Sequence, residues 1–422
     1  MIRGFLISDK KLEKDAFAWN MMGSMLYAFQ SVIMLMVLTR VLGLVDAGVF
    51  TIAYANANLF LNVGKYGMRY FQSSDIRHEY SFFTYTVSRV FTTVLMIIIS
   101  LIYTFNVAGQ NGYSQEKIAI IIWMTILKVA DSIEDVYHGH LQANNRLDIA
   151  SKCMTIRLAG TIIIYVISLV LLRNQLYALV ISTVSTYVIF IYLTVLIRDY
   201  FSMSICKAEL YDVQRLLKKC FPLFVGAFLS FYIGNAPKYA IDAIMSDEIQ
   251  ACYGFIAMPV FVVGLINSFI FNPLLYKMSS LWDDDKIGEF IKLVIRQVFI
   301  LCGITIICII GAWILGVPVL SFLYNTDLSN YKVELIILLL GGGFLGLSGF
   351  LTAIITIIRR QDELMWCYLL VSIIAFFSSK KAVATGGIYG ASLIYTVLML
   401  IICITFLFIF IKGIRARRKK KL

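Results

Sequence analysis

The sequence predicts an all-α membrane protein in which twelve transmembrane helices form two groups of six. Three observations support this fold class. Only 15% of the 422 residues are charged and 60% are hydrophobic, whereas soluble domains contain roughly 25% charged residues. The mean hydropathy is +0.83. Nine separate stretches of at least 18 residues contain no charged residue, and about 20 apolar residues suffice to cross a bilayer as a helix.

Twelve apolar segments, taken in chain order, are long enough to cross a membrane. The first is too long for the apolar core of a signal peptide, so we expect it to remain as the first spanning helix. The predicted helices are 16–40, 47–72, 82–107, 116–140, 149–171, 176–198, 219–238, 248–278, 288–317, 332–358, 363–379 and 387–411.

The distribution of basic residues predicts the orientation of these helices. The predicted inner segments hold 24 Lys and Arg residues, and the predicted outer loops with their adjoining helix ends hold 7. Because Lys and Arg accumulate in cytoplasmic loops, we expect both termini on the cytoplasmic side.

The longest predicted inner connection also carries many charges of both signs. It divides the helices six plus six, an arrangement found in transporters with a parallel internal repeat. We therefore predict an N-terminal lobe (1–200), a cytoplasmic linker (201–218), a C-terminal lobe (219–411) and a basic cytoplasmic tail (412–422).

The net charge of +12 does not indicate nucleic-acid binding, because seven of the basic residues lie in the last eleven positions, directly after an apolar helix. This placement is typical of an anchor that contacts anionic lipid headgroups. The eight cysteines lie mostly in apolar segments without a CxxC pair, which is typical of small core residues.

The sequence offers no active site. His78, His138 and His140 have no metal-ligand spacing, and no hydrolase, metalloprotease or phosphate-loop motif is present. We predict no enzymatic activity and no catalytic residue, metal or cofactor.

Predicted helix 2 has one polar face. Tyr54, Asn58, Asn62, Lys65 and Arg69 follow one another at spacings of three or four residues, which keeps them within an arc of roughly 80° on a helix. Lys65 lies ~27 Å along this helix. The two cations either extend to the inner headgroups or line a water-filled cavity.

Predicted helix 4 places charges near the middle of the membrane. Lys128 lies ~18 Å along the helix, where a charge is costly. Asp131 and Asp135 follow three and seven residues later, so Lys128 and Asp131 can pair directly. The group is either a structural ion pair or a titratable set that exchanges partners during transport.

Two further cations mark the predicted outer ends of helices 1 and 7. Arg40 ends helix 1, and Lys238 follows Asn235 and Pro237. Proline kinks or ends a helix, and Lys238 shares a face with Asp242 if the helix resumes. Both cations either cap helix C-termini or face the substrate.

Four sequence motifs carry a family resemblance: Thr39–Phe50, Gly139–Arg146, Asn235–Ile241 and Phe271–Leu274. With the six-plus-six layout, they resemble the polysaccharide-transport (Wzx-type) flippases of the multidrug/oligosaccharidyl-lipid/polysaccharide exporter superfamily. The resemblance implies two six-helix lobes around a central cavity. It also implies alternating access and transport of an undecaprenyl-pyrophosphate-linked oligosaccharide across the bacterial plasma membrane.

The resemblance implies a set of cations that holds the pyrophosphate, and the candidates are Arg40, Lys65, Lys128 and Lys238. The candidates for sugar contacts are Tyr54, Asn58, Asn62 and Asn235. The candidates for ion coupling are Lys128, Asp131 and Asp135. Membrane lipid and a glycan polymerase are the further candidate partners.

The sequence is compatible with other functions. A drug or cation antiporter of the same superfamily has the same fold, although a cationic drug favours a negative cavity. A lipid II flippase is less favoured, because predicted helix 8 has no arginine at mid-membrane. A glycan polymerase or acyltransferase needs a large outer loop or an intramembrane His/Asp pair, and the sequence shows neither. A structural scaffold is the least favoured. The glycan remains open among capsule, O-antigen, exopolysaccharide and teichoic-type polymers.

Overall fold

A computed structural model describes residues 2–7, 12–75, 79–201, 210–271 and 274–419 of the chain. In this part of the chain all regular structure is helical, which confirms the predicted fold class. The twelve long helices are α1 (Leu12–Leu42), α2 (Leu44–Lys65), α3 (Phe82–Asn111), α4 (Gln115–Ala143), α5 (Leu147–Leu172), α6 (Gln175–Leu196), α7 (Leu210–Ile244), α8 (Asp247–Phe271), α9 (Ile287–Tyr324), α10 (Lys332–Ile357), α11 (361–386) and α12 (388–419).

Side-chain caps explain where several of these helices begin. The backbone N–H of Thr84 donates to Ser81 at the start of α3, and that of Lys117 donates to Ser114 at the start of α4. Asn174 accepts from the N–H of Tyr177 at the start of α6. Each cap satisfies one of the amide groups that a helix N-terminus leaves unpaired.

Helix α2 is shorter than the sequence predicts. It ends at Lys65, because Tyr66 and Gly67 adopt left-handed conformations with φ of 50° and 68°. A separate short helix, Met68–Ser74, follows. The prediction that Arg69 continues the polar face of one helix was therefore wrong.

Helices α7 and α9 are longer than predicted. Pro237 does not end α7, which continues to Ile244, since membrane helices tolerate proline when neighbouring groups satisfy the freed backbone. In α9 a π-helical turn at Ala312–Gly316 precedes Pro318. Proline has no backbone N–H to donate, and a π-helical turn accommodates the missing hydrogen bond.

The structure describes a multi-pass membrane protein. Within the described ranges, ten segments are long and apolar enough to span a bilayer, and one of them, Gln361–Arg417, contains both α11 and α12. Helix α4 is not among them, because charged side chains are placed along it. The side of the membrane on which the termini lie stays a prediction.

The chain divides into two compact units, Met1–Phe228 and Leu229–Leu422. The first contains α1 to α6 and the beginning of α7. The predicted linker (201–218) and tail (412–422) include residues 202–209 and 420–422, which lie outside the described residues.

Helix packing in both units depends on glycine. In the first unit, a side chain at Gly64 of α2 would approach Ser132 of α4 and Met96 of α3. In the second unit, a side chain at Gly343 of α10 would approach Thr305 of α9. Small residues let membrane helices approach closely, and at Gly64 this close approach brings the end of α2 against α4.

Candidate functional site

Helix α4 carries a row of ionisable side chains that are buried inside the first unit. Lys128, Asp131, Glu134, Asp135 and His138 are each at most 6% exposed. Their spacings of one to three residues spread them over neighbouring faces of the helix. Consequently they meet partners on α1, α2, α3 and α5.

Lys128 is fully occupied by contacts within the first unit. Its Nζ donates to Asp131 Oδ2 at 2.9 Å, to Gln30 Oε1 at 3.1 Å and to Tyr54 Oη at 3.4 Å. The ammonium also lies 5.0 Å from the centre of the Tyr27 ring. Three acceptors match the three protons that a lysine ammonium donates, so Lys128 has no donor left for a ligand.

Arg157 of α5 joins two carboxylates of α4. Its Nη2 donates to Asp131 Oδ1 at 2.7 Å and to Glu134 Oε2 at 2.6 Å. Asp131 therefore bridges Lys128 and Arg157. A buried charge is stable only when it is paired and hydrogen-bonded in this way.

Arg89 of α3 closes the other end of the network. Its Nη2 donates to Asp135 Oδ2 at 2.7 Å, and its Nη1 donates to the carbonyl of Gly64 at 2.6 Å. Thr92 donates to the same carbonyl at 2.8 Å. Because α2 ends at Lys65, this carbonyl is one of the last four that the helix itself leaves without a partner.

Two adjoining cavities of about 200 Å³ and 410 Å³ lie next to this network in the first unit. Lys65, Arg69, Asn20 and Ser24 line both of them. The smaller cavity is further lined by Tyr27, His138, Ala150, Ser151 and Met154, and the larger one by Gly67, Tyr70, Ser73, Asp135, Gln142 and Leu147. The walls are rich in hydroxyl, amide and cationic groups.

Lys65 and Arg69 are the cations of these cavities. Among the described residues, Lys65 makes no hydrogen bond or ion pair, and its ammonium lies 5.3 Å from the centre of the Tyr27 ring. Arg69 donates to Gln142 Oε1 at 3.2 and 3.3 Å, and its Nη1 lies 3.8 Å from Asp135 Oδ1. Its side chain is 32% exposed, whereas that of Arg89 is 1% exposed.

The charges of the network do not cancel. The cations are Lys65, Arg69, Arg89, Lys128 and Arg157, and the carboxylates are Asp131, Glu134 and Asp135. Five cations against three carboxylates leave an excess of two positive charges when His138 is neutral. The two cations without a tight ion pair are the ones that line the cavities, so the excess lies there.

The other predicted site residues have different surroundings. Asn58 and Asn62 donate to the carbonyls of Tyr54 and Asn58 along α2, at 2.8 and 2.9 Å. Arg40 lies near the end of α1 and does not line either cavity. Asn235 and Lys238 belong to the second unit, where Asn235 donates to the carbonyl of Phe231 at 3.0 Å. Their predicted roles remain untested.

Sequence reasoning missed the partners on neighbouring helices. Arg89 and Arg157 each lie in an otherwise apolar segment, and an intramembrane arginine by itself predicts a buried carboxylate partner. Gln30 and Tyr27 gave no such signal, because polar uncharged residues are common in membrane helices. The predicted motif Phe271–Leu274 includes residues 272 and 273, which lie outside the described residues.

The sequence model of the polysaccharide biosynthesis protein family matches residues 14–279, which is more than half of the chain. The chain belongs to this family. It is also similar to the capsular polysaccharide biosynthesis protein CapF of Staphylococcus aureus, with 24% identity over 277 residues that cover 62% of this chain and 68% of CapF.

Solved structures show that this family member has the fold of the MOP superfamily of transporters. The lipid II flippase MurJ in an inward closed conformation aligns with a TM-score of 0.70 and 16% identity, over 94% of this chain and 86% of MurJ. An inward-facing multidrug resistance MATE transporter aligns with a TM-score of 0.66 and 14% identity, over 97% and 99% of the two chains. The predicted resemblance to polysaccharide-transport proteins of this superfamily is thereby confirmed.

Proposed function

We propose that this protein is a flippase that moves an undecaprenyl-pyrophosphate-linked oligosaccharide from the cytoplasmic to the outer leaflet of the bacterial plasma membrane. The observation that carries the proposal is the excess of two positive charges at Lys65 and Arg69, in cavities lined by hydroxyl and amide groups. The product is a surface polysaccharide, and the relative CapF favours a capsule-type polymer.

The chemistry of such a substrate matches the cavity. A sugar joined to an ionised diphosphate cannot enter hydrocarbon unaided, because each unpaired polar group costs several kcal/mol. The cations of the cavity bind the two ionised phosphates, and charge-assisted bonds of this kind are stronger than neutral ones. Asn20, Ser24 and Ser73 offer hydrogen bonds to sugar hydroxyls.

The size of the larger cavity supports the same substrate class. A volume of about 410 Å³ lies within the range of roughly 300–1,000 Å³ that is usual for small-molecule sites. It accommodates the diphosphate and the first sugar. The longer glycan and the prenyl chain then extend beyond the cavity.

The geometry divides the predicted cations into two roles. Lys65 and Arg69 are proposed to bind the diphosphate, although Arg69 was not among the predicted binding cations. Lys128 is proposed to be structural, because its three donors are already used. An antiporter for cationic drugs is disfavoured, because the excess positive charge of the cavity repels a cation.

The test replaces Lys65 and Arg69 separately by Ala in a strain whose surface polysaccharide depends on this protein. Each loss of a charge-assisted contact, worth about 1.5–3 kcal/mol, should reduce export about tenfold or more at normal protein levels. Lys65→Arg should retain part of the export, because it keeps the charge. Lys218→Ala, at an exposed lysine of α7, is the matched control and should export normally.

Two outcomes would contradict the proposal. Normal export by both the Lys65→Ala and Arg69→Ala variants would show that the cavity does not bind the substrate. Resistance to cationic dyes on overexpression, together with unchanged surface polysaccharide on deletion, would instead support drug efflux.

A further inference from the structure

His138 is an ionisable side chain of the cavity to which the transport proposal gives no role. It lines the smaller cavity together with Lys65 and Arg69. It is 5% exposed, and its Nε2 lies 3.6 Å from Oε1 of Glu134, one turn earlier on α4. At this distance a protonated imidazole pairs with the carboxylate, whereas a neutral one makes only a weak contact.

Charged groups from several elements face the position of His138. Helix α4 contributes Glu134 and Asp135, and α5 contributes Arg157. The end of α2 contributes Lys65, and the short helix Met68–Ser74 contributes Arg69. Of the further titratable side chains, Tyr27 of α1 lines the same cavity, and Cys153 of α5 lies near Glu134.

Burial of the imidazole disfavours a positive charge on His138. Glu134 favours a proton on His138, but its other carboxylate oxygen already accepts from Arg157 at 2.6 Å. Lys65 and Arg69 disfavour an additional positive charge in the same cavity. Removing the influence of these two cations therefore shifts the balance towards the protonated imidazole.

We propose that His138 takes up one proton from water in the cavity when a diphosphate anion binds there, and so becomes the third positive group of the anion site. This inference rests on the proposed function, because it needs an anion beside Lys65 and Arg69. The anion neutralises these two cations, and Glu134 then pairs with the new imidazolium. No bond of the anion breaks, and the proton is released when the anion leaves.

Linkage makes the effect reciprocal. If anion binding favours protonation of His138, protonation must strengthen anion binding by the same factor. One additional charge at a half-enclosed site should tighten binding about tenfold when the pH falls from about 8 to 5.5. His138 thus couples substrate occupancy to proton uptake.

The experiment uses the full-length purified protein and a short-chain prenyl diphosphate N-acetylglucosamine. This diester is a suitable probe because both of its phosphates stay ionised throughout the pH range. Titration calorimetry in buffers with different protonation enthalpies counts the protons that enter with each bound probe. A tenfold change over this range corresponds to an average uptake of about 0.4 proton per probe. The wild-type protein should therefore take up a fraction of a proton that is largest near the middle of the range and small at about pH 8, where His138 stays neutral in the bound state as well.

Two variants separate His138 from the other histidines. His138→Gln should bind the probe without proton uptake and with little dependence on pH, and at about pH 8 its affinity should approach that of the wild type. His140→Gln is the matched control. His140 lies against the Phe82 ring and the Tyr200 carbonyl and does not line either cavity, so this variant should behave like the wild type.

The possible failures point to different conclusions. Absence of proton uptake by the wild type, with binding that still depends on Lys65 and Arg69, would overturn the role of His138 and leave the transport proposal intact. Unchanged proton uptake in His138→Gln would do the same. Binding that is indifferent to Lys65→Ala and Arg69→Ala would instead overturn the proposed anion site itself. The wild-type proton count needs no variant, so a His138→Gln protein that fails to fold does not prevent the test.

Discussion

The two compact units are built on different physical principles. Among the described residues, all the buried charged side chains belong to the first unit, and most of them form the network along α4. Lys117, Asp148 and Lys152 are buried outside this network. The second unit buries aromatic and aliphatic side chains, including Phe271, Phe290 and Phe350, and it packs α10 through glycines. The first unit is therefore held together by interactions that also supply a polar cavity, whereas the second relies on close packing.

This difference shows where function is to be sought in a membrane protein. Lipid gives helices little hydrophobic reason to associate, so close packing of small residues is the less costly way to join them. Buried charges are costly unless they are paired. A unit that carries many of them is expected to have a role beyond cohesion.

The largest loss of stability should follow from replacing Arg157. In Arg157→Met the carboxylates of Asp131 and Glu134 lose a shared partner while they remain buried, which should lower the free energy of unfolding by about 3–5 kcal/mol. Thermal unfolding of the purified protein in one detergent measures the loss. Arg296→Met, at an exposed arginine of α9, should unfold close to the wild-type temperature. If both variants unfold at the same temperature, the buried charges of the first unit do not hold it together in the way proposed.

An intermediate change in stability should follow from glycine substitutions in α10. A methyl group at Gly343 would collide with the side chain of Thr305, so Gly343→Ala should destabilise the protein by about 1–3 kcal/mol. Gly349 has nothing within 4 Å of the position of a side chain. Gly349→Ala should therefore stabilise the helix by about 0.5–1 kcal/mol. The same unfolding assay tests the opposite signs, and a loss of stability in both variants would contradict the packing argument.

The smallest effect should come from an ion pair near the ends of α11 and α12. Glu363 lies 3.2 Å from both Arg360 and Lys412 and is 33% exposed. Because exposed pairs contribute little, Glu363→Gln should cost less than about 1 kcal/mol, and added salt should reduce the difference. The same chemical change in the first unit, Glu134→Gln, should cost several times more. A larger loss at Glu363 would show that the second unit also depends on charge.

Much of the fold could be predicted from the sequence, because membrane helices are set by length and apolarity. The twelve helices were predicted from these properties, and the pairing of Lys128 with Asp131 follows from their spacing on one helix. The end of α2 at Lys65 could not be predicted, since a left-handed conformation at Tyr66 is unusual for a bulky residue.

The partners of the site were beyond sequence reasoning for a different reason. Whether Lys128 faces a ligand or a protein acceptor depends on how α1 and α2 are placed beside α4. Lys128 donates to Gln30 and Tyr54, and neither residue is close to Lys128 in the chain. The spacing of charges predicted that the region is functional, but it did not distinguish the cations that line the cavity from those that hold its wall together.

The connection between α11 and α12 limits how the second unit can move. Gly387 alone interrupts the two helices, with φ 55° and ψ −135°, a conformation that glycine adopts far more readily than other residues. A side chain at Gly390 would meet the carbonyl of Ala382, so the adjoining helix ends lie in contact. With no slack between them, the two helices cannot slide past each other along their axes. A displacement of one helix along its axis must therefore carry the other with it.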